Sequence, residues 1–269
     1  MILNDDESQG IIIREFFSGN SSKIETLEFA DGSTVALNEI GFELHQTSKT
    51  DGLTTTAYND TVYLANIPDN SINTGDGGDT VYGGQYKDTI TGGLGDDILH
   101  GGDGNDTIYG DINNTSSYNG GNDTLIGGLG NDFLDGGRGD DTYIYNLGDG
   151  LDTINDSHGN EIIKFGEWIN QSDLAFNQDE NNLIINIDNN PEQGVIIQNY
   201  FSSDSYRNKT IVFDDETTLD LRNADQLIQA MNSFSISNSA STDTLSNSTQ
   251  DVSDMYSLAA SQDLTRKAI

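Results

Sequence analysis

Cysteine is absent from the 269 residues, which excludes disulfides and thiolate metal ligands. Cationic side chains are nearly as scarce. Eleven Lys and Arg stand against 45 Asp and Glu, a formal charge of −34. Nucleic acid and anionic membrane surfaces need cationic faces, so neither is expected as a partner. No apolar run approaches the roughly 18 residues of a membrane span. The opening MILNDDESQG lacks both the basic start and the apolar stretch of a secretory leader. That leaves a cytosolic chain, a chain exported by another route, or a piece of a longer protein. HExxH, GxSxG, a phosphate loop and CxxC are all missing, and no enzyme is expected. Hydrophobic content is 33%, low enough that part of the chain should not fold unaided.

What is present is glycine beside aspartate, in register. From Thr74 a nonapeptide frame runs TGDGGDTVY, GGQYKDTIT, GGLGDDILH, GGDGNDTIY. A fifth copy is interrupted by INNTSSYN, then GGLGNDFLD and GGRGDDTYI follow, and a degenerate LGDGLDTIN ends at Asn155. Position six of the frame is Asp79, Asp88, Asp97, Asp106, Asp123, Asp132, Asp141 and Asp152. Position eight is Val81, Ile90, Leu99, Ile108, Leu125, Leu134, Tyr143 and Ile154. Residues 74–156 hold sixteen Asp and no Glu, together with 22 of the 30 glycines. A merely solvated acidic surface would use both acids. A carboxylate held close to its own backbone requires the shorter one.

The frame predicts a six-residue turn followed by a three-residue strand, with position eight inward and positions seven and nine outward. Two nonapeptides then close one coil of a solenoid, and copy n stacks on copy n+2. Stacked turns bring aspartates and backbone carbonyls around one small volume. Such an all-oxygen cage of flexible geometry suits Ca²⁺ better than Mg²⁺. Zinc or iron would want His or Cys, and the repeats offer only His100. The outward positions Tyr82, Thr91, His100 and Tyr109 form no uniform ladder.

The tandem run 83–109 and the pair 127–144 resemble the RTX, or haemolysin-type, calcium-binding repeat, of which GGxGxDxUx is the known signature. The segment from GGRGDDTYIYNLGDGLDTIND to VIIQNYF resembles the end region of RTX haemolysins. The resemblance implies an all-β fold, a right-handed parallel β-roll with Ca²⁺ between adjacent turns. It implies that the position-six aspartates are carboxylate ligands and that Gly83, Gly92, Gly101, Gly127 and Gly136 offer carbonyls. Thr74, Tyr86 and the insert after Asp111 depart from the pattern, which puts sites on those turns in doubt. The resemblance also implies export through a type I channel under an uncleaved C-terminal signal, hence an extracellular or cell-surface location of bacterial type.

A second repeat frames the first. Residues 10–35 align without gaps to 194–219 with 10 identities in 26 positions, each reading as two β-runs around a polar loop. The first copy is expected to close an earlier block lying outside this chain. The segments EIIKF, DLAF and NLIINI predict a β-rich flank, whose aromatics Phe165, Trp168, Phe176, Tyr200, Phe201 and Phe213 are expected to cap the last coil near Tyr143 and Ile154. NADQLIQAMNSF (223–234) predicts a short helix with Asn223 as its cap and Leu227, Ile228 and Met231 on one face. The expected organisation is a cap remnant (1–50), the repeat roll (51–156), a β-rich cap (157–222), and a helix with a disordered secretion-signal tail (223–269). The leading expectation is a calcium-binding module that folds outside the cell and supports type I secretion of a larger, cytolysin-like protein. The alternative is an adhesin whose roll face recognises a glycan or a host-cell surface.

Overall fold

The computed structural model describes residues 57–111 and 120–229, preceded by the short stretches 26–28, 34–36, 43–45 and 53–55. The strands in chain order are β1 (Thr26–Glu28), β2 (Thr34–Ala36), β3 (Glu43–His45), β4 (Leu53–Thr54), β5 (Thr61–Tyr63), β6 (Asn70–Asp76), β7 (Thr80–Gly84), β8 (Asp88–Leu94), β9 (Ile98–Asp103) and β10 (Thr107–Asp111). They continue with β11 (Thr124–Leu129), β12 (Phe133–Asp135), β13 (Thr142–Tyr145), β14 (Leu151–Ile154), β15 (Glu161–Phe165), β16 (Leu174–Asp179), β17 (Asn182–Ile187), β18 (Asn190–Ile197), β19 (Lys209–Val212) and β20 (Thr218–Asp220).

Successive repeat strands fall in alternate sheets, so each pairs in parallel with the strand two places on. One sheet runs β3-β5-β7-β9-β11-β13-β15-β19-β20, and the other β4-β6-β8-β10-β12-β14-β18-β17-β16. Leu99 registers with Val81 and Leu125, and Ile108 with Ile90 and Leu134. The molecule is thus a parallel β-roll in which copy n lies on copy n+2. Every position-eight side chain from Val81 to Ile154 is buried in one seam between the sheets. A strand turning its odd residues outward needs only one apolar side chain per copy to hold that seam.

The glycine pair at the end of each strand permits the close stacking. Gly93 sits at φ +129°, and a Cβ added there would lie 1.9 Å from the Gly75 carbonyl oxygen of the coil below. Tyr86, which replaces the glycine at position four, is not among the residues with positive φ.

Two outward features differ from expectation. The two-sheet alternation separates Tyr82 and His100 from Thr91 and Tyr109. On their own sheet, Tyr82 and His100 continue a ring stack with His45 and Tyr63, at centroid spacings of 4.5, 4.9 and 4.7 Å and interplanar angles of 5–15°. The 4.7–4.9 Å spacing of paired strands is the natural stacking distance of aromatic rings, so in-register parallel pairing produces the ladder. Trp168 is 81% exposed at φ +73° rather than in the cap core. The helix occupies 224–229 within the described residues, directly after Asn223, and it follows a 3-10 turn (Leu221–Asn223) whose own cap is Asp220, accepting from Arg222 N–H. Ala224 and Leu227 are buried; Met231 lies outside the described residues.

The flank continues the roll and then closes it. β15 adds to β13 and β18 to β14, both parallel; the antiparallel strands β16–β17 and β20 complete the two sheets. Phe165, Phe176, Tyr200 and Phe213 are buried, Phe201 is half-buried, and Phe165 meets Tyr145 edge-on at 5.7 Å. The Tyr145 hydroxyl donates to Gly150 O and accepts from Gly194 N–H, tying the last coil to β18. The two framing copies also match in pairing. β1 and β2 pair Leu27 with Val35, and β19 and β20 pair Ile211 with Leu219, positions that correspond residue for residue in the alignment.

A coil without this flank exposes an open apolar end and two unpaired strand edges, and the first coil must be ordered before any neighbour stabilises it. Residues 74–156 alone are therefore expected to stay mostly disordered at calcium concentrations that fold residues 74–222. Circular dichroism of the two fragments over a calcium titration checks this; equal midpoints would place the nucleus inside the roll.

Candidate metal centre

Position six lies within one residue of the start of each repeat strand, and in-register stacking turns it into two columns, one on each edge of the roll. Asp79, Asp97, Asp123 and Asp141 form one column; Asp88, Asp106, Asp132 and Asp152 form the other. Within a column the backbone N–H of each aspartate donates to Oδ1 of the aspartate on the next coil, at 2.7–3.0 Å. Within the repeats the acceptor is always Asp, in keeping with the missing Glu; beyond them Glu161 makes the same link. The step is 18 residues in three links, 20 from Asp132 to Asp152 and 26 in the two that cross the insert, so the eight extra residues leave the columns in register.

The second carboxylate oxygen is the one with chemistry left to do. Oδ2 of Asp79, Asp97, Asp106, Asp123, Asp132 and Asp141 is buried and has no hydrogen-bond partner. A buried carboxylate oxygen left unpaired is costly unless a cation meets it. Its position also explains the leading glycine. A Cβ added at Gly92 would lie 2.1 Å from Oδ2 of Asp97, at Gly101 2.4 Å from that of Asp106, and at Gly136 2.3 Å from that of Asp141. Position one is therefore kept empty for an oxygen, whereas positions two and four carry the positive φ.

The glycines expected to offer carbonyls line the same volume. The Gly101 carbonyl oxygen lies 1.9 Å, and that of Gly127 2.5 Å, from the Cβ positions of Gly83 and Gly101 respectively, one coil away. Two of these carbonyls already accept: Gly136 O from Asp111 N–H at 3.1 Å and Gly92 O from the Thr74 hydroxyl at 2.8 Å. Thr74, the departure at position one, thus places a donor where other copies have a void.

Burial raises the pKa values of the whole array. Desolvation pushes Asp97, Asp123, Asp141 and Asp152 up to about 8, Asp132 to about 7, and Asp79 and Asp106 to about 6. The amide hydrogen bonds pull each value down, and neighbouring acids push it up again. The fold without an ion therefore disfavours the charged carboxylates, chiefly through their burial, and oxygen-only donors in a loose cage are what a hard divalent cation such as calcium takes.

Sequence reasoning missed residues of two kinds. Asp60, Asn70 and Glu161 extend the columns beyond the frame: Asp60 N–H donates to Asp79, Asn70 N–H to Asp88, and Asp141 N–H to Glu161. Position five forms an outer clasp running the opposite way. Asn122 N–H donates to Asp96 Oδ1, Asp140 N–H to Asn122 Oδ1, Leu151 N–H to Asn131 Oδ1 and Asn160 N–H to Asp140 Oδ1, at 2.7–3.0 Å. The recurrence of Asn or Asp at a position that the frame leaves open is the signal that could have found it.

The comparisons with known proteins agree with this geometry. A family model described as RTX calcium-binding nonapeptide repeat (4 copies) matches residues 69–85, 82–115 and 117–152. A second, described as haemolysin-type calcium binding protein related domain, matches 1–38 and 182–222, the two framing segments. Among curated proteins no match to the chain was found.

The pH response follows from the sign of the shifts. These carboxyls have folded-state values raised above the ordinary range near 3.8. Their contribution to an ion-free roll is present below that range and is lost as pH rises through about 6 to 8. In chelator, β-structure is expected to increase as pH is lowered from 8 to 5, read by far-UV circular dichroism. A signal unchanged until below pH ~4.5 would contradict the columns' burial.

Proposed function

We propose, from the premise that this chain carries RTX calcium-binding repeats, that it is the calcium-triggered folding module of a larger protein exported by a type I channel. The carrying observation is the set of buried, unpartnered Oδ2 atoms in two columns. The proposed carboxylate ligands are the eight position-six aspartates, joined by carbonyls of Gly83, Gly92, Gly101, Gly127 and Gly136. Calcium, when bound, supplies the countercharge that these oxygens lack, and with it the folding energy. Everything else is built into the chain. Its sixteen repeat aspartates repel one another when no cation is present, which favours an extended, threadable state. The glycines give that state high entropy, and the amide-to-carboxylate links convert it to a roll once the charge is met.

Within this reading residues 51–156 are the switch, 157–222 the element that closes it, and 223–269 the segment read by the export machinery. The larger protein is cytolysin-like by the likeness of the framing segments to haemolysin-type proteins. No described helix is long and apolar enough to cross a membrane.

A second reading, recognition of a glycan or host-cell surface by the roll face, draws on the ring stack from His45 to His100. It ranks second because the rings cover one another's faces, leaving chiefly edges and hydroxyls to a ligand. Binding of the calcium-loaded chain to a glycan panel, and its loss in Tyr82→Ala, would move it to first place.

The switch is tested by titrating the chelator-treated chain at neutral pH. Conversion from largely disordered to β-rich is expected at submillimolar to millimolar free calcium, with a much weaker response to Mg²⁺. A β-rich spectrum in excess chelator at pH 7.5 would sink the switch.

A further inference from the structure

The first column does not end in an aspartate. Glu161 takes the next place: its Oε2 accepts from Asp141 N–H at 2.8 Å, and its Oε1 is buried without a partner, as is Oδ2 of Asp141. Beside them lies Asp156, which belongs to no repeat position. Its Oδ2 accepts from the Tyr143 hydroxyl at 2.6 Å and its Oδ1 from His158 N–H at 2.9 Å. These contacts fix the orientation of its carboxylate and leave lone pairs free. One oxygen each from Asp141, Asp156 and Glu161 lie within 4.8 Å of one another, and all three residues are buried. Oxygens about 2.4 Å from a shared centre span that distance.

The next residue up the column is Lys209, paired with Glu161 on β19 and 1% exposed. Its ammonium donates to Asp156 O at 2.9 Å, with Asp156, Glu161, Asp135 and Asp141 as its acidic neighbours. It leaves Glu161 Oε1 and Asp141 Oδ2 unsatisfied. When ionised, these three carboxylates and the ammonium sum to −2, the countercharge of a single divalent cation. The lysine is particular to this end: the aligned residue of the first framing copy is Glu25.

We propose that Asp141, Asp156 and Glu161 form a further calcium site at the junction of roll and flank, in which Lys209 is a fixed countercharge and not the occupant. The site draws one carboxylate from the last full repeat, one from the turn after β14 and one from β15. An ion there fastens the flank to the coil on which it sits. Asp156 belongs to neither column, so the junction ion is separable from the column ions.

The proposal rests on the calcium reading above, and a count of bound ions distinguishes the two. Native mass spectrometry of the full chain at saturating calcium gives the number, with circular dichroism as the check on folding. Asp156→Asn is expected to bind one ion fewer than the parent chain, and Lys209→Met the same number as the parent. An undiminished count in Asp156→Asn, or one additional ion in Lys209→Met, overturns the junction site, the second outcome because it makes the ammonium the occupant. Should Asp156→Asn fail to fold, Glu161→Gln is read in its place: one ion fewer than the parent is expected, and an undiminished count overturns the junction site. A parent chain binding no calcium would instead overturn the wider reading.

Discussion

The hydrogen bond from the backbone of one position-six aspartate to the carboxylate of the next coil organises the molecule. It uses one carboxylate oxygen to set the spacing between coils and traps the other oxygen in a dry interior. An interaction that stabilises the stack in one respect therefore destabilises it in another, since every coil added buries another charge. Hydrophobic burial is too thin to override that conflict, at one inward side chain per copy. The proposed dependence of the fold on a cation follows from the register of the coils, which leaves buried carboxylate oxygens unmet.

The glycines acquire two separate meanings in this light. Those at positions two and four let the backbone turn and touch its neighbour, as at Gly93. The one at position one has ordinary φ and exists so that Oδ2 can occupy the space of a side chain, as at Gly92 beside Asp97. The position-five clasp, pulling in the opposite sense on the outer surface, holds adjacent turns together where no ion is needed.

Much of this was legible because a solenoid converts sequence period directly into spatial contact. Nine-residue spacing placed Leu99 inward and Asp97 beside Asp123, and two copies per coil accounted for both columns. What could not be read lacked periodicity or lay outside the frame. The ring stack needs His45 and Tyr63, which precede the first copy. Trp168 looks like core by composition, yet a tight turn at φ +73° turns it to solvent. Asp156 and Lys209 meet across 53 residues, at a distance no local pattern encodes.

The change of step from 18 to 26 residues at the insert has a consequence for how such a chain can vary. The columns keep time by hydrogen bond and not by residue count: Asp97 finds Asp123 and Asp106 finds Asp132 as if nothing intervened. At the insert the frame is thus open to segments of other length and composition, because both columns run past it in register. A repeat architecture with strict internal geometry is, at that point, indifferent to what it carries.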